Sequence, residues 1–292
     1  MVSLANRGGI MSWTTLISAR ELAAHLQDPD WIVLDCRNEL TSPLAGRQAF
    51  AAGHIPTAQY VEPDVDMSDK SPGPNGEFRG RHPLPTRDAF IATLRRLGVH
   101  PHSQVVTYDA QGSMFAARLW WMLRWVGHEA VAVLDGGLQA WTELGHPLSS
   151  DAPARPAGSI VEKPSLCKTV AAADLLATSS RVVLDARAPD RFRGENETLD
   201  PVGGHIPGAR NRFFKDNLDA SGRFKPAAEL RAQFSALLDA PEHAVMQCGS
   251  GVTACHNLLA MEVAGLSGAA LYPGSWSEWC ADPKRPVATG AA

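Results

Sequence analysis

A chain of 292 residues, 45% hydrophobic and 20% charged, has room for two ordinary domains or one large α/β domain with a sizeable core. Its formal net charge of −4, from 27 basic and 31 acidic residues, argues against a general nucleic-acid surface, which needs a basic excess. No apolar run reaches the roughly 18–20 residues of a membrane-spanning helix, no apolar segment of the secretory type follows Arg7, and five cysteines, odd in number and widely spaced, make no disulfide framework.

That cysteine usage suits a reducing compartment, so a cytoplasmic protein without membrane or nucleic-acid partners is expected. Met1 to Ile10 reads as a poorly ordered extension, with Met11 as a second possible start. A short helix over Ala19 to Leu26 then precedes an apolar run from Trp31 to Asp35. A longer helix, Thr86 to Leu97, precedes a second buried-type run, Gln104 to Asp109. A helix over Ser113 to Val126 and a strand over Ala130 to Leu134 follow. Pro147 to Ser165 is rich in Pro, Ser and Ala and reads as an extended linker. Beyond it the same order returns: helix Ala171 to Thr178, run Arg181 to Asp185, helix Pro226 to Leu238, run His243 to Cys248, helix Thr253 to Ala264, strand Ala269 to Tyr272.

The residues themselves repeat. WIVLDCR at Trp31 to Arg37 matches RVVLDAR at Arg181 to Arg187, and GHIP at Gly53 matches GHIP at Gly204. Asp109 falls opposite Cys248, and DGGLQAW from Asp135 falls opposite PGSWSEW from Pro273. Ordered matches at so long a period mean a duplicated domain, not a solenoid. The expected organisation is an N-terminal domain over residues 12–146, a linker over 147–165 and a C-terminal domain over 166–285. Short apolar strands alternating with helices predict the α/β class, each copy a mostly parallel sheet flanked by helices. Ligands of such sheets sit beyond the carboxyl ends of the strands, and Cys248 falls at such an end.

The stretch Cys248-Gly249-Ser250-Gly251-Val252-Thr253 places a thiol before a glycine-rich turn and a helix start. Backbone N–H groups converging there, with the helix dipole, favour a thiolate, and glycines permit the dihedrals such a nest needs. The plainer reading is a buried cysteine packed as a small hydrophobe.

CGSGVTAC after an apolar strand, with paired LDAR, GHIPGA and GSWSEW segments, resembles the tandem rhodanese family, and within it the branch that uses 3-mercaptopyruvate. The likeness runs from about Trp13 to Trp279. It implies two rhodanese-like domains, the C-terminal one catalytic and the N-terminal one silent, with Asp109 in the nucleophile's place. It also implies sulfur transfer from 3-mercaptopyruvate or thiosulfate, through a persulfide on Cys248, to a thiol such as thioredoxin or to cyanide, with no metal and no organic cofactor. The persulfide would sit among the N–H groups of Gly249, Gly251, Val252 and Thr253, as an oxyanion sits in its hole.

Thiosulfate-specialised relatives carry two cations after the cysteine, whereas Gly249 and Ser250 are neutral and suit a monoanionic 2-oxo acid thiol. The resemblance links Ser250 to His82 and Asp66 as a relay, the last two supplied by the first half. It makes Arg191 the guanidinium that grips the donor's anion. A second arginine is expected nine positions further on, where this chain has Asp200; Arg193 and Arg210 are the substitutes at hand.

Other residues read more plainly. His54 and His205 hold their turns by hydrogen bonds, Trp120, Trp121 and Trp125 pack, and Trp276 and Trp279 wall the pocket. Cys255 is expected two turns into its helix, and with His256 it lacks the ligand set of a zinc site. Cys36, Cys167 and Cys280 have no supporting context. A phosphatase of related fold needs Cys-x5-Arg, and Ala254 stands at that position. A non-catalytic binding module would be expected to lose the cysteine in both copies.

Overall fold

The computed structural model describes residues 4–7, 10–39, 42, 44–151, 154–177 and 180–291. These form two compact units. The first comprises residues 1–67, 85–166 and 220–224, the second 68–84, 167–219 and 225–292. Residues 68–84 therefore fold with the second half of the chain, which the repeat pattern did not disclose.

In the first unit, β1 (Leu4–Arg7) pairs antiparallel with β2 (Ile10–Trp13). Part of the stretch read as a poorly ordered extension is thus a hairpin; residues 1–3 and 8–9 lie outside the described ones. The main sheet is built from β3 (Leu16–Ile17), β4 (Trp31–Asp35), β5 (Gln59–Tyr60), β6 (Gln104–Tyr108) and β7 (Val131–Leu134). Its order is β3-β7-β6-β4-β5 and every pairing is parallel. Every residue of β4 and β6 is buried, as expected of central strands covered on both faces. The covering helices are α1 (Ala19–His25), α2 (Ala45–Ala52), α3 (Pro63–Asp66), α4 (Arg87–Arg96), α5 (Met114–Trp125) and α6 (Gly137–Glu143).

Local chemistry sets the helix starts. Ser18 and Glu21 form a capping box ahead of α1, and the Thr86 hydroxyl accepts the Ala89 N–H ahead of α4. The core gathers Ile17, Leu22, Val33, Val106, Leu134 and Trp141. The linker is tied down within this unit: the N–H groups of Gly158, Ile160 and Lys163 donate to the carbonyls of Arg95, Val99 and Val126 at 2.7, 3.1 and 3.0 Å.

The second unit repeats the plan with β8 (Lys168–Thr169), β9 (Val182–Asp185), β10 (Arg210–Asn211), β11 (Ala244–Gln247) and β12 (Ala270–Leu271). They pair in parallel in the order β10-β9-β11-β12-β8, so β11, like β6, is the middle strand. Its helices are α7 (Ala172–Ala177), α8 (Pro189–Arg193), α9 (Ala227–Ser235), α10 (Thr253–Val263) and α11 (Ser275–Trp279). Thr178, expected to close the first of these helices, lies outside the described residues. Val183, Val245, Ala270, Tyr272, Trp276 and Trp279 form its core.

The two copies share one buried device. Arg37 pairs with Asp35 at 2.6 Å and donates to the Gly53 carbonyl at 2.7 Å; Arg187 pairs with Asp185 at 2.7 Å and donates to the Gly204 carbonyl at 2.6 Å. His54 and His205 each bond the carbonyl of the phenylalanine they stack on, Phe50 and Phe192. Both histidines thus hold their turns.

Candidate active site

Cys248 follows β11 at its carboxyl end, and the residue is 2% exposed. Its N–H donates to the Ser275 hydroxyl at 3.1 Å, and that hydroxyl donates to the Tyr272 carbonyl at 2.9 Å. Ser275 carries a φ of 52°, a conformation costly for a residue with a Cβ, and these two bonds hold it there. The Cys248 and Gly249 carbonyls accept the N–H groups of Trp276 and Ser277, each at 2.9 Å. The start of the cysteine loop is thereby clamped to the first turn of α11.

Beyond the clamp, Gly251 takes a φ of +79°, Val252 caps α10, and Thr253 opens it. Cys255 lies in the first turn of α10, not two turns in, because the helix begins only two residues earlier; its thiol donates to the Gly251 carbonyl at 3.4 Å. Trp276 and Trp279 are core residues whose indole N–H groups bond the Val202 and Pro286 carbonyls, both at 2.8 Å. The Trp276 ring lies 4.7 Å under the Arg187 guanidinium, so its part is to hold that cation in place.

Ser250 and His82 meet: the hydroxyl oxygen lies 2.8 Å from His82 Nδ1, and both residues are buried. Residues 68–84 fold with the second unit and so bring His82 to the cysteine loop. Asp66 belongs to the first unit, at the end of α3. There it pairs with Arg96 and accepts the Glu62 N–H at 2.9 Å. The resemblance joins it to His82, which folds with the second unit, the division falling just after Asp66.

Arg191, on the short helix α8, turns its Nε and Nη2 onto the Glu197 carboxylate at 2.7–3.2 Å and its Nη2 toward Asp200 at 3.4 Å. Burial works to raise the pKa of Glu197, but the Arg191 bonds and the Leu199 N–H outweigh it and leave the carboxyl below its ordinary value. Asp200 also pairs with Arg81. A Cβ placed on Gly249 would lie 2.8 Å from Arg81 Nη2 and 3.5 Å from Arg191 Nη2, so two guanidiniums flank the residue after the cysteine. Arg193 pairs with Glu195 at the surface, and Arg210 donates to the Leu237 carbonyl at 2.6 Å; neither reaches the loop. Arg81 is the residue sequence reasoning missed, although it stands next to His82 in the same GRHPLP segment. Among the described residues no cluster of three or more His, Cys, Asp or Glu is placed to hold a metal, and no helix is long and apolar enough to cross a membrane.

The rhodanese-like domain model matches the chain twice, over residues 18–144 and 169–282. The chain belongs to the rhodanese family. A Pseudomonas aeruginosa protein named probable 3-mercaptopyruvate sulfurtransferase is 46% identical over 286 residues, 96% of this chain and 100% of the relative. A Mycobacterium tuberculosis protein named for thiosulfate sulfurtransferase activity is 38% identical over 283 residues, 95% of this chain and 98% of the relative. The structure of 3-mercaptopyruvate sulfurtransferase from Leishmania major superimposes with a TM-score of 0.81 at 29% identity, covering 92% of this chain and 74% of that one. With relatives this similar over nearly its full length, the chain is a sulfurtransferase.

Within this rhodanese the first copy shows what its loop-to-helix turn can hold. Asp109, in the place of Cys248, accepts the N–H groups of Gln111, Ser113, Phe115 and Ala116 at 2.9, 2.8, 2.9 and 3.0 Å. Burial raises its pKa, and those four donors act against the rise. The turn is an anion receptor, filled in the first copy by the protein's own carboxylate.

Proposed function

We propose that Cys248 is the sulfur carrier of this enzyme and that 3-mercaptopyruvate is its preferred donor. The Cys248 thiolate attacks the donor's sulfur, and the donor's carbon–sulfur bond breaks. The bonding pair passes to the carbon skeleton as an enolate, which takes up one proton to become pyruvate. The sulfur stays on Cys248 as a persulfide, held by loop N–H groups of the kind that hold Asp109. A thiol such as that of thioredoxin, or cyanide, then attacks the outer sulfur and leaves with it, returning the thiolate. The observation that carries this reading is the Ser250–His82 contact of 2.8 Å beside the cysteine. A hydroxyl paired with an imidazole can pass a proton to a 2-oxo acid enolate, whereas thiosulfate, leaving as sulfite, asks for no such group. Arg191 holds the donor's carboxylate. Five free cysteines support a reducing compartment, the cytoplasm, as the place of work.

The test is incubation with 3-mercaptopyruvate followed by intact-mass analysis, where a gain of about 32 Da, one sulfur atom, should map to Cys248. Cyanide should then release thiocyanate, and Cys248→Ser should give neither product while remaining folded. A related phosphatase or a binding module would yield no thiocyanate. Sulfur mapping to Cys255 or Cys280 overturns the assignment.

A further inference from the structure

Arg81 is fixed to the same turn of α11 that clamps the cysteine loop. Its N–H donates to the Ser277 hydroxyl at 3.1 Å, and the Ser277 N–H holds the Gly249 carbonyl at 2.9 Å. The preceding Gly80 has a φ of +94°, and a Cβ there would stand 2.8 Å from the Gly274 carbonyl oxygen. Only glycine lets the chain lie this close to α11, so the backbone that carries Arg81 is set by contact.

The side chain is set by Asp200, whose carboxylate is 3% exposed, while the Arg81 and Arg191 side chains are 25% and 20% exposed. Asp200 takes Arg81 Nη1, and Glu197 takes Arg191 Nε and Nη2. Arg81 Nη2 and Arg191 Nη1 are left without a partner among the described residues. These two nitrogens lie 2.8 and 3.6 Å from the position of a Gly249 Cβ, converging on the residue next to Cys248. Two charged donors at one point are what a carboxylate's two oxygens need.

We infer that Arg81 and Arg191 form a two-armed clamp for the carboxylate of the sulfur donor, with Asp200 as the residue that positions the Arg81 arm. This rests on the proposed use of a 2-oxo acid donor. Asp200 is then no lost arginine. It is the counter-charge of an arginine delivered from another segment. Two cations against Glu197 and Asp200 leave the clamp without net charge, which suits a single carboxylate and disfavours a dianion.

The experiment is steady-state kinetics of the full chain with 3-mercaptopyruvate and with thiosulfate, alongside sulfur loading of Cys248 read by mass at saturating donor. Arg81→Ala and Arg81→Gln should raise KM for 3-mercaptopyruvate by about ten- to a hundredfold while kcat changes little, the mark of lost ground-state binding. Asp200→Asn should raise that KM less and increase kcat/KM for thiosulfate, because it frees a positive charge. Asp200→Arg alone should impair the enzyme, since it sets three guanidiniums together. Combined with Arg81→Asp, it should recover KM toward the wild-type value. Both variants keep the backbone contact with Ser277; if Arg81→Ala fails to fold, Arg81→Gln, which retains a side-chain N–H donor for the buried Asp200 carboxylate, decides the matter. An unchanged KM in both Arg81 variants, or a double variant no better than Asp200→Arg alone, overturns the clamp. Absence of sulfur loading in the wild-type enzyme would instead sink the proposed function beneath it.

Discussion

Asp109 and Cys248 occupy equivalent points of the duplicated fold. Each follows the middle strand of its sheet, and the helix beyond it begins five residues later, at Met114 and Thr253. The carboxylate collects four N–H donors where the other copy presents sulfur. Asp109→Asn should therefore destabilise the protein at neutral pH. An amide can turn one oxygen toward two of these donors, but its NH2 must face the other two. Each buried N–H left without an acceptor costs about 1–3 kcal/mol. A melting temperature unchanged in Asp109→Asn would show that the four bonds contribute nothing to stability.

Much of this was legible in the sequence. Runs such as WIVLD and QVVTY are apolar enough to be strands buried on both faces, and the ordered repeats gave the duplication. The cysteine loop was legible too, because its glycines and helix start lie within six consecutive residues. What stayed hidden depends on residues far apart in sequence. The Arg81–Asp200 ion pair spans 119 positions, and a lone arginine carries no periodicity to mark it. The division between Asp66 and His82 stayed hidden for the same reason: their distance in sequence does not say that 68–84 folds with the other half of the chain.

That division of the chain predicts how a fragment behaves. A protein beginning at Gly158 keeps Cys248, Ser250 and Arg191 but lacks residues 68–84, which belong to the second unit. It should turn over poorly, lacking His82 for the proton and Arg81 for the donor. It should also be less stable than the intact chain, since the Gly80–Arg81 contacts with α11 are gone. Supplying residues 68–84 as a peptide should restore part of the activity. Wild-type turnover from the fragment alone would remove His82 and Arg81 from the mechanism.

Glu197 predicts a dependence on pH. Its folded pKa lies below its ordinary 4.5, so its carboxylate contributes stability that is fully present above that value. The contribution is lost as pH falls through the lower folded pKa, because the unfolded chain binds the proton first. The melting-temperature difference between the wild type and Glu197→Gln should therefore be largest near neutral pH and shrink below about pH 4.5. A difference that stays constant down to about pH 3 would mean the Arg191–Glu197 pair carries no net stabilisation.

Donor choice gives the sharpest test of the electrostatic account. Gly249 and Ser250 add no charge to the loop, and the nearby Arg81 and Arg191 are matched by Asp200 and Glu197. Changing Gly249→Arg with Ser250→Lys adds two cations where a thiosulfate dianion would sit, and removes the hydroxyl that meets His82. The new side chain at 249 starts 2.8 Å from Arg81 Nη2, so the Arg81 arm must swing away toward solvent. Both changes act in one direction: the 2-oxo acid loses its proton path and one arm of its clamp, and the dianion gains charge. A close charge-assisted contact is worth about 1.5–3 kcal/mol, which makes the expected shift in relative kcat/KM about ten- to a hundredfold toward thiosulfate. Arg191→Ala should lower kcat/KM for both donors, since each presents an anion to that side chain. A ratio unchanged in the double variant would refute charge as the basis of selectivity and leave the sulfur chemistry of Cys248 untouched.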